Sequence, residues 1–420
     1  MKSVLLLAPT PIAEQRAGPA IRYWEFARAL SEQQPVTLLL PNDDHPVHRA
    51  FTVCTSSQAD LDSLLAQHQI VVVQGPAIQR HPLLAEVLAA GEHHLVADLY
   101  TPITMEQLEV DRGGEAGRWL HLEYVSLLNE QLRLGDFFLC ASERQRDFWL
   151  GALTVLGRVN HDTYDGGTLK RLIDVVPFGL PATLPRAGKP LLKGVQPGIA
   201  SGDRVILWGG GLWDWLDPLA PIRAMGRVRE QHPTAHLVFF RSDRYHSARF
   251  DQAMYHATEL ELLDHHVHFA DWLAAEKWEC CLLEADVGLS FHAANIETRY
   301  AFRTRLLDYF WAGLPIVAAK GDVLSDQVEA HGLGYTVEPG DVEALSQALI
   351  ALLGEPQARS RRREAFSEVS EQFRWERVTE PLVRYCRQPW HAGDAGQSFK
   401  QRWQASQEDR AASEPVSYTH

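Results

Sequence analysis

The chain has 420 residues, 45% hydrophobic and 22% charged, a globular composition with length for two domains of ordinary size. A net charge of −14 has the wrong sign for a phosphate backbone, so a nucleic-acid partner is not expected. No apolar run approaches the roughly 18 residues of a membrane span. Five Cys, an odd count without a C-x-x-C pair, argue for reduced thiols rather than a disulfide framework or a zinc motif.

The first apolar run, 4–8, is followed by no small-residue cleavage site and predicts a buried strand rather than a signal peptide. A loop at 9–17 leads to Gly18-Pro19 and a helix through Leu30. Further strands are predicted at 36–40, 70–73, 95–98, 137–140 and 174–176, with helical stretches between them. His93-His94 and His265-His266 read as loop residues, and the 19 His are scattered without an H-E-x-x-H pattern, so no metal site is predicted.

Residues 181–203 are rich in Pro, Gly and Lys and lack periodicity, which puts a domain linker at 186–203. The alternation then restarts. A strand at 205–208 runs into Gly209-Gly210-Gly211, and Asp217-Pro218 opens a helix. Strands follow at 236–240, 267–269, 287–290 and 315–319, and an amphipathic helix at 341–353. From about 388 the chain turns polar and aperiodic, predicting a disordered tail to 420. The fold class is α/β: two Rossmann-like doubly wound domains, 1–185 and 204–370, with 371–387 returning to the first. Two such domains leave a cleft between the carboxyl ends of their sheets.

Several residues on that cleft could carry chemistry. Gly18 opens a helix whose free N–H groups could meet an anion, with Arg22 one turn further on; an ordinary turn with a surface Arg is the competing reading. Gly210 and Gly211 allow a close ligand or an unusual turn. Trp213, with Trp215, could cover a base or sugar or simply pack. Asp98 ends a strand and could make polar contact with substrate or cap a turn. Asp271 and Trp272, in F-A-D-W at 269–272, are placed for a nucleobase.

The segment 302–317 carries the strongest signal. A helix stops at Gly313, Pro315 follows and a β-branched run begins. Arg303 falls in the first turn, where the macrodipole disfavours a cation unless an anion is bound. Asp308 could accept from ribose hydroxyls or pair with Arg305 on the helix surface. Glu297, in the loop before, could accept from sugar hydroxyls or stand in solvent. No P-loop, no G-x-G-x-x-G and no G-x-S-x-G is present, against a P-loop NTPase, a dinucleotide dehydrogenase and an α/β-hydrolase.

With these motifs, nearly the whole chain to about 387 resembles a GT-B glycosyltransferase, most like the retaining family 4 group. The resemblance rests on Gly18-Pro19, V-P-F-G at 176–179, the second glycine loop, the 286–290 strand, D-Y-F-W-A-G-L-P-I-V at 308–317, G-L-G-Y-T-V-E-P-G-D at 332–341 and F-R-W at 373–375. It implies hexosyl transfer, with retention, from a nucleoside-diphosphate sugar bound by the second domain. The acceptor would be a glycan or lipid-linked sugar on the first domain. No cofactor and no metal are implied, and the location would be the cytoplasm, with room for peripheral contact at the inner face of the membrane.

There are departures from the family's pattern. The family often carries two Glu on this helix; here Asp308 takes the second position and Tyr300 the first, so the first role would pass to Glu297 or be absent. The basic residues usual in the glycine loop are replaced by Trp213 and Asp214, leaving Arg303, with Arg305 and Arg241 behind it, for the diphosphate. The catalytic candidates are therefore Asp98, Glu297 and Arg303. Two other classes share the architecture: a nucleotide-sugar epimerase and a non-catalytic glycan- or nucleotide-binding protein.

Overall fold

The computed structural model describes residues 2–12, 18–43, 46–110, 114–241, 247–355, 357–395, 401 and 403–405. Seven strands make the first sheet: β1 (Val4–Leu7), β2 (Val36–Leu40), β3 (Thr52–Thr55), β4 (Ile70–Val73), β5 (His94–Asp98), β6 (Phe137–Cys140) and β7 (Ile173–Val175). All pairs are parallel, in the order β3-β2-β1-β4-β5-β6-β7. Six more make the second sheet: β8 (Arg204–Trp208), β9 (Ala235–Arg241), β10 (Val267–Asp271), β11 (Val287–Ser290), β12 (Ile316–Ala319) and β13 (Gly334–Val337). These are also parallel, in the order β10-β9-β8-β11-β12-β13.

The inner strands of the first sheet are buried end to end, β1 as V-L-L-L and β4 as I-V-V-V, because helices cover both faces of a parallel sheet. Each order reverses once, between β1 and β4 and between β8 and β11. Those reversals open crevices at the carboxyl ends of the strands. The α/β, doubly wound expectation holds. β3 and β13 were not expected. Both are edge strands with a single fully buried residue each, so neither shows the apolar run of a central strand. His94, expected in a loop, begins β5.

Residues 186–203 lie against the second domain. The Glu284 carboxylate accepts from the backbone N–H of Leu191, Leu192 and Lys193, and Lys193 Nζ reaches Asp286 at 2.7 Å. The chain returns to the first domain through Phe373 and Trp375. Leu180 N–H donates to the Phe373 carbonyl (2.7 Å), and Trp375 N–H donates back to the Leu180 carbonyl (3.1 Å). A Cβ at Gly179 would run into the Trp375 ring, which explains the glycine in V-P-F-G. The helix Glu380–Arg387 then packs on the first domain, and one apolar cluster runs from Val4 through Leu306 to Tyr385. Residues 388–395, read above as the start of a tail, pack there too. Ala392 and Asp394 are buried, and Asp394 pairs with Arg158 at 3.0 Å with both side chains fully buried.

Candidate active site

The helix expected to follow Ala301 starts at Thr304, and a separate short helix precedes it where a loop was expected. The short helix Ile296–Tyr300 is capped by Asn295 Oδ1, which accepts from Thr298 N–H at 2.8 Å. The helix Thr304–Ala312 follows, with Arg303 at its cap position, and stops at Gly313 in the left-handed region (φ +62°). Glu297 therefore stands on a helix, not in a loop. It is fully buried, and Arg303 Nη1 donates to its Oε1 at 2.9 Å while Nη2 meets Oε2. The anion that answers Arg303 at the helix start is thus a carboxylate of the chain itself. Arg303 Nε is buried without a hydrogen-bond partner.

Arg305 does not pair with Asp308. Its guanidinium carbon lies 4.7 Å over the Trp208 ring, and Nη2 donates to the Gly211 carbonyl at 3.1 Å. Nη1 is buried without a partner. Burial, with the nearby Arg303 charge, lowers the Arg305 pKa to about 10, which leaves it cationic at neutral pH. This places a rigid, incompletely hydrogen-bonded guanidinium beside the glycine loop that follows β8. Gly210 occupies positive φ (+82°), a backbone that side chains rarely adopt.

Tyr309 holds the loop to the sheet. Its hydroxyl accepts from Gly209 N–H at 2.7 Å and lies 2.9 Å from the carbonyls of Leu207 and Leu289, on β8 and β11. The hydroxyl thus sits on the crevice where the strand order reverses. Asp308 Oδ2 accepts from Trp278 Nε1 at 2.9 Å, and burial pushes its carboxyl up to about 6.

The remaining donor-side candidates spread outward from this point. Trp213 stacks on Trp215 (centroids 5.6 Å apart, 10° between planes) and lies against Gly211. Asp271, at the end of β10, accepts from Arg241 Nε at 2.7 Å, and Trp272 is packed against the core. In the first domain, Gly18 opens the helix Gly18–Ser31, and the residues just before it, 13–17, lie outside the described ones.

Asp98 turns back into the protein. Arg22, read as a surface residue in one of the two alternatives, is fully buried and donates from Nε (2.7 Å) and Nη2 (2.9 Å) to Asp98. Its Nη1 reaches the Pro177 carbonyl at 2.9 Å. The Tyr100 ring covers the guanidinium at 4.6 Å. Tyr100 Oη is buried and unpartnered, and burial raises its pKa.

Glu106 joins the two halves. It lies on the helix Ile103–Val110 of the first domain, and burial, followed by the Glu297 charge, pushes its carboxyl up to about 7 against the pull of Arg303. Gln145 Nε2 bridges the domains by donating to the carbonyls of Tyr100 (2.9 Å) and Tyr300 (2.8 Å). The structure therefore gathers the candidates into two groups: Gly210, Gly211 and Arg305 around the β8–β11 crevice, and Glu297 with Arg303 facing Glu106 and Tyr100. Asp98 reaches the second group only through Tyr100. Glu106 and Tyr100 carried no sequence motif, and Tyr309 lay inside one without a role, since their significance comes from pairings across about 100 to 200 residues of chain.

Residues 203–355 match the family model described as "Glycosyl transferases group 1". The second domain is a group 1 glycosyltransferase domain. No curated protein matches the chain by sequence. Among solved structures, the chain is similar to sucrose-phosphate synthase from Thermosynechococcus elongatus, at 15% identity over 98% of this chain and 100% of that one (TM-score 0.62). It is also similar to Anabaena HepE in complex with UDP and glucose, at 14% identity, 92% and 100% coverage and TM-score 0.65. WaaG, a glycosyltransferase involved in lipopolysaccharide biosynthesis, matches at 15% identity, 91% and 98% coverage and TM-score 0.60. At these identities the likeness is one of fold, and the fold is GT-B.

Proposed function

We propose that this chain moves a hexosyl group from a nucleoside-diphosphate sugar to an acceptor hydroxyl, with retention, in the assembly of a surface glycan or glycolipid. One observation carries the reading: Arg305, stacked on Trp208 with Nη1 unpartnered, beside the glycine loop at the β8–β11 crevice. A diphosphate there would receive N–H groups of the loop and a charge-assisted hydrogen bond from Nη1. Asp308 Oδ1 is left to accept from a ribose hydroxyl, since Oδ2 serves Trp278. The Anabaena HepE complex with UDP-glucose, a GT-B neighbour, supports the donor class, and WaaG the glycan setting.

In the transfer, the acceptor oxygen bonds to the anomeric carbon as the bond from that carbon to the phosphate oxygen breaks. The electron pair leaves with the diphosphate, whose departing oxygen takes up the proton of the acceptor hydroxyl, and Arg305 with the loop N–H groups meets the charge that develops there. The cation supplied by the chain makes a metal unnecessary in this scheme. Glu297, Arg303 and Asp98 act through one another and through Tyr100 to shape the acceptor side. The site would work in the cytoplasm, with the acceptor brought from solution or from the membrane face.

Closure of Asp98 onto Arg22 and of Glu297 onto Arg303 also favours a second reading, a non-catalytic nucleotide-binding protein. Titration calorimetry with UDP, GDP and dTDP separates the classes in the first step. Binding of one nucleotide is expected, and binding of none would overturn the donor site. Mass spectrometry of the matching nucleotide sugar then decides between turnover and binding alone.

A further inference from the structure

The amino-terminal end of the first sheet, opposite the cleft, holds a second cluster of functional groups. His94 is the first residue of β5, Asp136 immediately precedes β6, and His391 comes from the segment after the last long helix. One ligand atom from each lies within 4.8 Å of the other two. His94 and Asp136 are buried, 5% and 2% exposed, whereas the His391 side chain is 45% exposed.

The surroundings hold these groups as a metal site holds its ligands. The Asp136 carboxylate is oriented by two backbone N–H groups, Leu95 to Oδ2 at 2.8 Å and Ala392 to Oδ1 at 2.9 Å. His391 Nδ1 lies 3.4 Å from Oδ1, and its ring stacks on His94 with centroids 3.9 Å apart. Outer contacts that fix ligand orientation are a regular part of metal sites.

A cation already stands beside one member of the cluster. Lys2 Nζ lies 2.6 Å from His94 Nε2. An ammonium has donors only, so Nε2 must present its lone pair, the same lone pair a metal would take. The other ring nitrogen of His94, Nδ1, is buried without a hydrogen-bond partner. Lys2 is exposed on a flexible stem, so it can swing away. His391 can turn its exposed ring toward the vacated position.

We propose that His94, Asp136 and His391 form a zinc-type metal site that clasps the segment 388–395 to the first domain, with Lys2 capping His94 Nε2 when metal is absent. Two imidazoles and one carboxylate suit zinc better than magnesium, which prefers oxygen ligands. Three protein ligands leave the fourth position to water. The site is remote from the cleft, so it stands whether or not the glycosyltransferase reading does.

The full chain, freed of any polyhistidine tag and stripped with a chelator, is titrated with zinc chloride by calorimetry and its melting temperature followed. One equivalent should bind and raise the melting temperature, and magnesium chloride should do neither. His391→Ala, at a half-exposed position compatible with folding, should weaken zinc binding tenfold or more and abolish the thermal shift. Lys2→Ala should bind zinc more tightly than the wild type, because a competing cation is gone. Absence of binding by the wild type, equal affinity in His391→Ala, or weaker binding in Lys2→Ala would each overturn the site.

Discussion

Arg305→Lys tests the donor site most directly. Lysine keeps the charge and much of the stem but loses the planar fork, the stacking on Trp208 and the aim of Nη1. A hydrogen bond between charged groups contributes about 1.5–3 kcal/mol. At about 1.4 kcal/mol per factor of ten, nucleoside-diphosphate affinity should fall roughly 10- to 100-fold. The fold should suffer less: the cation–π contact is worth about 0.5–2 kcal/mol, and the bond to the Gly211 carbonyl about 1 kcal/mol. Calorimetry with the nucleotide that the wild type binds reads the first effect, and urea denaturation the second. A variant that unfolds cooperatively and binds within about threefold of wild type would refute the assignment of Arg305 to the diphosphate.

Arg303→Ala should destabilise the protein by about 3–5 kcal/mol, because it leaves Glu297 charged and buried without its partner; the double variant with Glu297→Gln should recover part of that loss in urea denaturation, and simple additivity would argue against the pair. Tyr309→Phe should cost about 1–3 kcal/mol by leaving Gly209 N–H without its acceptor, and an unchanged denaturation midpoint would contradict that role. Glu106 is raised from 4.5 to about 7, so between those values the folded state holds a proton the unfolded state has lost, and stability falls as pH rises. At about 1.36 kcal/mol per pKa unit the upper limit is about 3 kcal/mol, less for a half-buried group. Glu106→Gln should therefore be more stable than wild type at pH 8 by about 1–3 kcal/mol and not more stable at pH 4, and a pH-independent difference would refute the shift.

The fold was legible where burial is complete. Runs such as 4–7 and 70–73 have no solvated face, so their side chains alone announce a parallel sheet. β3 and β13 were not legible because each buries a single residue, whereas β7 and β10, also at sheet edges, bury two or more and were read. The helix stop at Gly313 was read from local chemistry alone, and the left-handed φ of that residue is the reason. The short helix Ile296–Tyr300 before it was not, since five residues carry too little periodicity to announce a helix; what fixes Glu297 there is tertiary, its pairing with Arg303.

The charges of the site show the same division more sharply. From sequence, Arg303 looked like the cation most in need of an anion, because a first-turn position is unfavourable for it. The macrodipole argument is sound, but it identifies a need and not what meets it, and a carboxylate six residues earlier met it. Asp98 was met in the same way by Arg22, 76 residues away. Arg305, two residues along, gave no such signal, because its distinction is an absence: a guanidinium held by Trp208 and Gly211 with one nitrogen left over. A binding site is a set of groups the fold has declined to satisfy, and helical spacing cannot show which those are. The unpartnered Arg305 Nη1, Arg303 Nε and Tyr100 Oη are therefore better guides to the ligand than the ion pairs that first drew attention. Under the proposed function the first, beside the glycine loop, would meet the diphosphate, and the other two, in the Glu106 cluster, the hydroxyl groups of the sugar.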